Sequence, residues 1–368
     1  MAERREIFAG VMSGTSLDGI DAVVAHFAPD CRLLAATHVA FPADLRRELL
    51  ALQASGADEI VRAARAANAL ADLYAHALTS VCMAAGIAAR DVVAAGVHGQ
   101  TIRHRPHEGW TTQLNNAARV AERAYMTVVA DFRMRDIAAG GQGAPLVPAF
   151  HAAMFALAGR HRVVANVGGI ANVTDLPERG DVRGFDTGPG NVLLDLWCAR
   201  HLGTAFDAGG GWASTGTVDA SLLAALLAEP YFAAPPPKST GRDLFNATWL
   251  DRAIAAASWQ GRPEHAQATL AALTARTLAD AVRVHCEGAQ ELLVCGGGAR
   301  NAHLMGLLAA ELPKVSVTAT DRAGAASDHV EALAFAWLAR EALAGRPGNL
   351  PAVTGARGPR VLGAIYPR

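Results

Sequence analysis

The chain has 368 residues, of which 51% are apolar and 18% charged, and its 33 Lys and Arg residues almost balance 34 Asp and Glu residues. This composition is typical of a globular protein and argues against a nucleic acid as partner, because no excess of positive charge is present to attract a polyanion. No run reaches the roughly 18 to 20 apolar residues of a membrane span, and the basic start is not followed by the apolar stretch of a leader peptide, so we expect a cytoplasmic protein.

The N-terminal part of the sequence predicts alternating strands and helices. Residues 6–12 and 19–27 have the composition of strands and are joined by a Gly/Ser/Thr turn, which indicates a hairpin. Apolar residues recur at helical spacing from Asp58 to Met83, and Gly86 should end that helix. Further strands are predicted within DVVAAGVHGQ, WTTQL and MTVVADF, with a helix at 117–124. This alternation is typical of an α/β fold.

The same organisation restarts after a segment rich in Gly and Pro, DIAAGGQGAPLVP at 136–148, which we interpret as a hinge. Residues 161–176 predict strand, glycine turn and strand, and residues 181–197 predict strand, Gly/Pro turn and helix. Helices then dominate. They are predicted near 217–228, 246–258 and 264–287, in GARNAHLMGLLAAEL after the strand ELLVCGG, and near 328–344.

The length of the chain exceeds the size at which a single hydrophobic core usually stops growing, so we expect two domains. Both halves open with a hairpin that has glycine at its tip, which suggests a duplication. The predicted domains are residues 1–133 with the tail 346–368, and residues 134–345. The five cysteines are scattered and form no Cys-x-x-Cys pair, so neither disulfides nor structural zinc are expected.

Four glycine-rich turns, at 10–19, 168–169, 184–190 and 296–298, follow predicted strands, where α/β folds bind ligands. Glycine lets backbone N–H groups approach an anion, and Ser or Thr hydroxyls add donors. One such turn is more often only a tight hairpin, but four together favour a polyphosphate site. No GxxxxGK[ST] occurs and no GxGxxG follows the first strand, which excludes an ordinary P-loop and argues against a dinucleotide fold. The nucleotide-binding candidates are Ser13, Gly14, Thr15, Ser16, Leu17, Asp18, Gly19, Ile20, Asp21, Gly168, Gly169, Gly188, Gly190, Gly296, Gly297, Gly298 and Asn301.

Two aspartates flank the first turn. Asp18 is the candidate metal ligand, because a carboxylate beside phosphates needs a bridging Mg2+ ion to avoid repulsion. An Asx turn is an equally good interpretation of Asp18 alone. Whether Asp21 joins the metal site or only completes the turn stays open.

The segment GFDTGPGN places Asp186 at the end of a predicted strand, before Gly188, Pro189 and Gly190. Pro189 suits the first turn of the helix that follows. A carboxylate held beside a helix N-terminus that can face an anion is well placed as a general base near phosphate. The alternative is an aspartate that only caps the helix.

The segments GVMSGTSLDGIDAVV, HGQTIRHRP, ANVGGIANVT, GFDTGPGN and CGGGARN, in this order and with EALAFAWLA near the end, closely resemble the anhydro-N-acetylmuramic acid kinase family. That family belongs to the sugar kinase, actin and Hsp70-like ATPase superfamily. The resemblance covers essentially the whole chain. It implies two lobes of ribonuclease H-like/actin-like fold with duplicated α/β cores, ATP in an interdomain cleft, and a homodimer.

The resemblance also implies the reaction. The family uses ATP to phosphorylate 1,6-anhydro-N-acetylmuramic acid and opens the anhydro bridge in the same turnover, giving N-acetylmuramic acid 6-phosphate in cell-wall recycling. Asp186 is then the base for the attacking water, with Mg2+ nearby. The sugar carries a carboxylate and neutral polar groups, so its pocket should offer a cation and several hydrogen-bond partners. The candidates are His98, Gln100, Arg133, Gln142 and Glu331.

Several of these residues have a structural alternative. His98 could be a core histidine, and Glu331 could be favoured by the dipole at the start of its helix. His104, His107 and His303 show no metal-ligand spacing and receive no role. Two other functions stay open: a superfamily enzyme acting on another amino sugar or on guanosine polyphosphates, and a non-catalytic nucleotide sensor or chaperone-like ATPase.

Overall fold

A computed structural model describes residues 6–14, 17, 19–28 and 31–368. Three predicted site residues, Thr15, Ser16 and Asp18, lie outside the described residues. The chain forms two compact units: unit 1 comprises Met1–Phe150 and His329–Arg368, and unit 2 comprises His151–Asp328.

The described residues contain strands and helices in alternation, as the sequence predicts. The strands are β1 (Ile7–Met12), β2 (Gly19–Phe27), β3 (Cys31–Ala40), β4 (Ala94–Val97), β5 (Gln100–Arg105), β6 (Trp110–Leu114), β7 (Val128–Ala130), β8 (Arg162–Val167), β9 (Ile170–Leu176), β10 (Arg183–Pro189), β11 (Glu291–Cys295), β12 (Ser316–Ala319) and β13 (Ala364–Tyr366). The helices are α1 (Ala43–Ala51), α2 (Glu59–Ala85), α3 (Ala117–Ala124), α4 (Met134–Ala138), α5 (Val147–Phe155), α6 (Val192–Leu202), α7 (Ala220–Leu227), α8 (Pro230–Ala233), α9 (Ala247–Ala256), α10 (Pro263–His285), α11 (Ala302–Glu311), α12 (Val330–Leu343) and α13 (Pro351–Thr354).

The main sheet of unit 1 has six strands in the order β13-β7-β4-β1-β2-β3. Strands β1, β2 and β3 are antiparallel neighbours, and β4 and β7 continue the sheet parallel to β1. Met12 of β1 pairs with Asp21 of β2, so the glycine-rich turn forms the tip of a hairpin. The predicted first hairpin is confirmed.

The sheet of unit 2 has five strands in the order β10-β9-β8-β11-β12. Again the first three strands are antiparallel neighbours, and the fourth and fifth run parallel to the first. Both units therefore share the order third, second, first, fourth, fifth. This common topology confirms the predicted duplicated α/β cores of the ribonuclease H-like/actin-like fold. Among the described residues, no helix combines the length and apolarity that a membrane span requires.

Helices α2 and α12 cover opposite faces of β1, because successive residues of a strand point to opposite sides. Ala9 and Val11 belong to the core cluster that includes α2. Gly10 faces α12 instead, and a Cβ atom there would lie 2.0 Å from the carbonyl oxygen of Ala332. A Cβ atom at Gly96 of β4 would lie 1.9 Å from the carbonyl oxygen of Phe335, which is also on α12. The two glycines thus allow α12 to lie directly against the sheet.

Replacing Gly96 with alanine should destabilise unit 1, since the added methyl group would collide with backbone rather than with a side chain that can move. We expect a loss of about 1 to 3 kcal/mol in the free energy of unfolding, measured by urea denaturation. Gly306→Ala is the matched control, because that position in α11 has open space around it and should tolerate or favour alanine. Equal stability of the two variants would contradict the close packing of α12.

The domain boundaries differ from the predicted ones at 133/134 and 345/346. Helix α12 packs on β1 and β4 and therefore belongs to unit 1. The predicted hinge also lies in unit 1, because the buried Asp136 accepts hydrogen bonds from Gly143 N (2.8 Å), Asn349 Nδ2 (2.6 Å) and Thr354 Oγ1 (2.7 Å). These contacts join the Gly/Pro-rich segment to the C-terminal tail. The chain passes to unit 2 only at Phe150, within α5.

Candidate active site

The hairpin tip of unit 1 is held by buried hydrogen bonds. The Ser13 hydroxyl lies 2.9 Å from the Tyr74 hydroxyl and donates to Gly99 O at 3.3 Å. Gly14 O accepts from Leu17 N at 3.3 Å, which closes the turn. Leu17 and Ile20 are buried, so a ligand at the tip could contact only their backbone. The Ser13 hydroxyl is therefore engaged in holding the described part of this turn.

Asp21 is engaged within the sheet. Its Oδ1 lies 2.9 Å from Nδ1 of His38 on β3. Gly19 leaves room for this ring, since a Cβ atom at Gly19 would lie 2.6 Å from His38 Nε2. Asp18 remains the predicted metal ligand, outside the described residues. The described residues contain no group of three or more His, Cys, Asp or Glu side chains that could hold a metal ion.

His98 and Arg133 form a polar pair in unit 1, in which His98 is buried and Arg133 is half-buried. Arg133 donates to His98 Nε2 from Nε at 3.0 Å and from Nη2 at 2.9 Å, and its Nη1 donates to Gly143 O at 2.8 Å. Burial and the charge of Arg133 hold the pKa of His98 well below its usual range. Burial lowers the pKa of Arg133 to about 10, whereas the carboxylates of Glu331 and Asp136 raise it. Three predicted sugar residues are thus close together, since His98 and Glu331 both lie near the guanidinium of Arg133.

The other two predicted sugar residues differ in their surroundings. Gln100 is buried and donates from Nε2 to Gly14 O at 3.1 Å, while its Oε1 has no hydrogen-bond partner among the described residues. Gln142 is exposed, and its backbone N–H donates to Thr354 O at 2.7 Å. Gln100 therefore contacts the hairpin tip, and Gln142 lies at the surface.

A cavity of about 190 Å³ lies beside His98, and the sequence did not indicate it. Residues that line this cavity include His98, Thr111, Thr112, Gln113, Asn115, Asp131 and Tyr366. Of these, Asn115 contributes a side-chain amide whose oxygen and nitrogen are buried and have no hydrogen-bond partner among the described residues. His104, also without a predicted role, bonds Thr111 Oγ1 at 2.9 Å, and burial and then the charge of Arg133 lower its pKa. The sequence could have indicated His104 as a further site candidate, because it lies in the same segment, HGQTIRH, as His98.

In unit 2 the predicted turns at 168–169 and 184–190 are bonded to each other. Gly190 N and Val192 N donate to Gly169 O at 2.9 and 3.1 Å, and Asn191 N donates to Gly168 O at 2.8 Å. Gly190 must be glycine, because a Cβ atom there would lie 2.3 Å from Gly168 O. Pro189 was predicted to open a helix, but it is the last residue of β10, and α6 begins at Val192. The ladder with β9 keeps the chain extended through Pro189.

Asp186 lies within β10, five residues before the Asn191 cap of α6, so it does not cap that helix. Its Oδ2 accepts hydrogen bonds from Ser239 Oγ at 2.9 Å and Thr240 N at 3.0 Å. Its backbone oxygen accepts from the Tyr231 hydroxyl at 2.8 Å. Burial raises the pKa of Asp186, and the bonds from Thr240 and Ser239 lower it. One carboxylate oxygen is thus fixed, and Oδ1 has no partner among the described residues.

The residues that hold Asp186 were not identified from the sequence. Lys238 donates from Nζ to the backbone oxygens of Tyr231 and Phe232 at 3.2 and 3.1 Å, and it lies over the Tyr231 ring. Phe232 also packs against Gly188, where a Cβ atom would lie 2.7 Å from its ring. The segment PPPKSTGRD combines Pro, Thr and Gly, as the recognised turn GFDTGPGN does, so its composition could have indicated this loop.

The third glycine loop of unit 2 is largely explained by packing. A Cβ atom at Gly296 or at Gly298 would lie 2.4 Å from Asn166 Oδ1 or from Val167 Cγ1, respectively. Asn301, predicted to contact the nucleotide, caps α11 by accepting from Leu304 N at 3.0 Å. Of the three loop glycines, only Gly297 has ordinary spacing to its neighbours and a φ angle outside the left-handed region. A second run of glycines, 209–211, was not recognised; of these, Gly210 packs against Asn301, since a Cβ atom there would lie 2.2 Å from Asn301 Oδ1.

Comparison with known proteins identifies the family of this chain. A family model described as anhydro-N-acetylmuramic acid kinase matches residues 6–368. A relative of that name from Thiobacillus denitrificans is 56% identical over 364 residues, covering 98% of this chain and 97% of the relative. Another of that name, from Cupriavidus pinatubonensis, is 54% identical over 375 residues and covers 100% of both chains. The chain therefore belongs to the anhydro-N-acetylmuramic acid kinase family.

Proposed function

We propose that this chain phosphorylates O6 of 1,6-anhydro-N-acetylmuramic acid with ATP and opens the anhydro bridge in the same turnover. Its family membership assigns it a phosphotransferase activity toward that sugar. The products are N-acetylmuramic acid 6-phosphate and ADP, which places the reaction in the recycling of cell-wall sugars.

The observation that best supports a residue assignment is the setting of Asp186. Ser239 and Thr240 fix one carboxylate oxygen, and the other is free to accept a proton. In the proposed reaction Asp186 takes a proton from water as the water oxygen bonds to C1 of the sugar. The C1–O6 bond breaks, O6 bonds to the γ-phosphorus, and the bond from that phosphorus to the β-phosphate oxygen breaks to release ADP. Aligning both steps in one site removes the entropic cost of bringing the reactants together.

The residues of unit 1 suit the sugar. The guanidinium of Arg133 can bind its carboxylate, and neutral His98 holds that guanidinium in place. Gln100 Oε1 and the amide of Asn115 are buried polar groups that require partners, and the hydroxyl and acetamido groups of a sugar can provide them. Glu331 contributes a negative charge near the guanidinium of Arg133.

The glycine turns suit the phosphates of ATP. The N–H groups of the first hairpin tip and of the Gly168–Gly169 turn are the proposed donors, with Mg2+ held by the phosphates and by Asp18. Mg2+ supplies charge neutralisation for phosphoryl transfer. We further propose that the protein acts in the cytoplasm, where ATP and this sugar would meet, and that it forms a homodimer.

The direct test is ADP release with and without the anhydro sugar. We expect ADP release to depend on the sugar, and in 18O-labelled water the label should appear at C1 of the product, since water attacks that carbon. Rapid ATP hydrolysis without sugar would instead favour a sensor or chaperone-like ATPase. Release that depends on another amino sugar, but not on the anhydro sugar, would favour a related kinase.

A further inference from the structure

The turn at Gly168 and Gly169 has more space than its fold requires. A Cβ atom at Gly168 would have its nearest neighbour at 3.7 Å, and one at Gly169 at 3.9 Å. Neither residue has a φ angle in the left-handed region. Backbone conformation and packing would therefore accept a side chain at either position, and the free space suits a ligand that approaches the backbone closely.

Arg242 is the side chain next to that space. The atom nearest to a Cβ built on Gly169 is Arg242 Nη2, at 3.9 Å. Arg242 is exposed and forms no salt bridge with any acidic side chain in the part of the chain that the structure describes. The turn thus combines backbone that a ligand can approach with a guanidinium whose donors are available to an anion.

An acidic side chain, Asp195, lies near Arg242 without pairing with it. Burial raises the pKa of Asp195 on α6 to about 6, and the charge of Arg242 opposes that shift. The two side chains are therefore close enough to interact, but they do not approach within salt-bridge distance. A partly desolvated carboxylate at this range helps to keep the guanidinium near the turn without occupying its donors.

Arg242 also belongs to the segment that holds the proposed base. In residues 238–242, Ser239 Oγ and Thr240 N bind Asp186 Oδ2, and Arg242 follows two residues later. The same short segment therefore contacts the carboxylate and borders the glycine turn.

We propose that Arg242 binds a phosphate group of ATP at the Gly168–Gly169 turn. This inference rests on the proposed function, because it takes ATP as the nucleotide. The planar guanidinium offers paired donors that match two phosphate oxygens, which a lysine cannot reproduce.

The test compares Arg242→Ala and Arg242→Lys with Arg252→Ala, an exposed arginine on α9 whose loss changes the net charge equally. Affinities for ATP and for AMP are measured by calorimetry without sugar, together with the melting temperature. Arg242→Ala should weaken the binding of ATP about 10- to 100-fold, the range for loss of a charged hydrogen bond, and change the binding of AMP less than about twofold. The affinity of Arg242→Lys for ATP should lie between those of Arg242→Ala and the wild type.

ATP binding by Arg242→Ala that equals that of Arg252→Ala would overturn the proposal. Equal weakening of ATP binding and AMP binding, with a lower melting temperature, would also overturn it, because a structural role of Arg242 would affect the binding of both nucleotides. Sugar-dependent ADP release by the wild type tests the proposed function separately. If it is absent while Arg242→Ala selectively loses ATP affinity, the proposed function fails and the role of Arg242 stands.

Discussion

Replacement of Asp186 by asparagine is expected to lower kcat by about 10²- to 10⁴-fold, the usual contribution of a general base. The amide oxygen of asparagine can still accept from Ser239 and Thr240, so the local structure should persist while the basic oxygen is lost. ATP affinity should change little, as measured by calorimetry. Asp181→Asn, an exposed position on the same unit, is the control for charge and should retain full activity.

The pH dependence separates a base from a positioning residue. Asp186 must be ionised to accept a proton, so kcat should fall as the pH drops through its raised pKa, above the usual aspartate range. The hydrogen bond from Ser239 favours the ionised form, so Ser239→Ala should move this acid limb to higher pH. Nearly normal turnover in the asparagine variant, or an acid limb that stays fixed in Ser239→Ala, would contradict the assignment.

The elements that the sequence predicted best are those specified by local pattern. The hairpin of β1 and β2 has a glycine-rich turn between two apolar strands, and α3 was predicted with the bounds Ala117–Ala124 that it has. Strand β13, by contrast, lies in the Gly/Pro-rich tail and forms only by pairing with β7, more than 200 residues earlier. No local pattern specifies such a partner.

The same distinction applies to the site. Glycine turns marked the candidate phosphate contacts, but composition could not separate glycines required by packing, such as Gly296 and Gly298, from Gly168 and Gly169, which packing does not require. Asp186 was identified by its glycine-rich surroundings. Its partners Ser239 and Thr240 are more than 50 residues away, and only the folded chain brings them to the carboxylate.

Asp136→Ala is expected to destabilise unit 1 by about 3 to 5 kcal/mol, measured by urea denaturation. The Asp136 side chain is 0% exposed and accepts three hydrogen bonds, so alanine would leave three donors without a partner. Asp136→Asn keeps one oxygen acceptor and a similar volume, so it should lower the free energy of unfolding by less than Asp136→Ala does. Asp44→Ala, an exposed position in the first turn of α1, should change stability by less than about 1 kcal/mol.

The substitution should also affect the sugar site at a distance. Asp136 holds Gly143 N, and Gly143 O accepts from Arg133 Nη1, so release of this loop removes one of the contacts that orient the guanidinium. We therefore expect Asp136→Ala to raise KM for the sugar while KM for ATP stays close to the wild-type value, measured at a temperature where the variant is folded. Unchanged stability would refute the anchoring role of Asp136. A normal sugar KM in a destabilised variant would show that Arg133 is oriented by His98 without help from the loop.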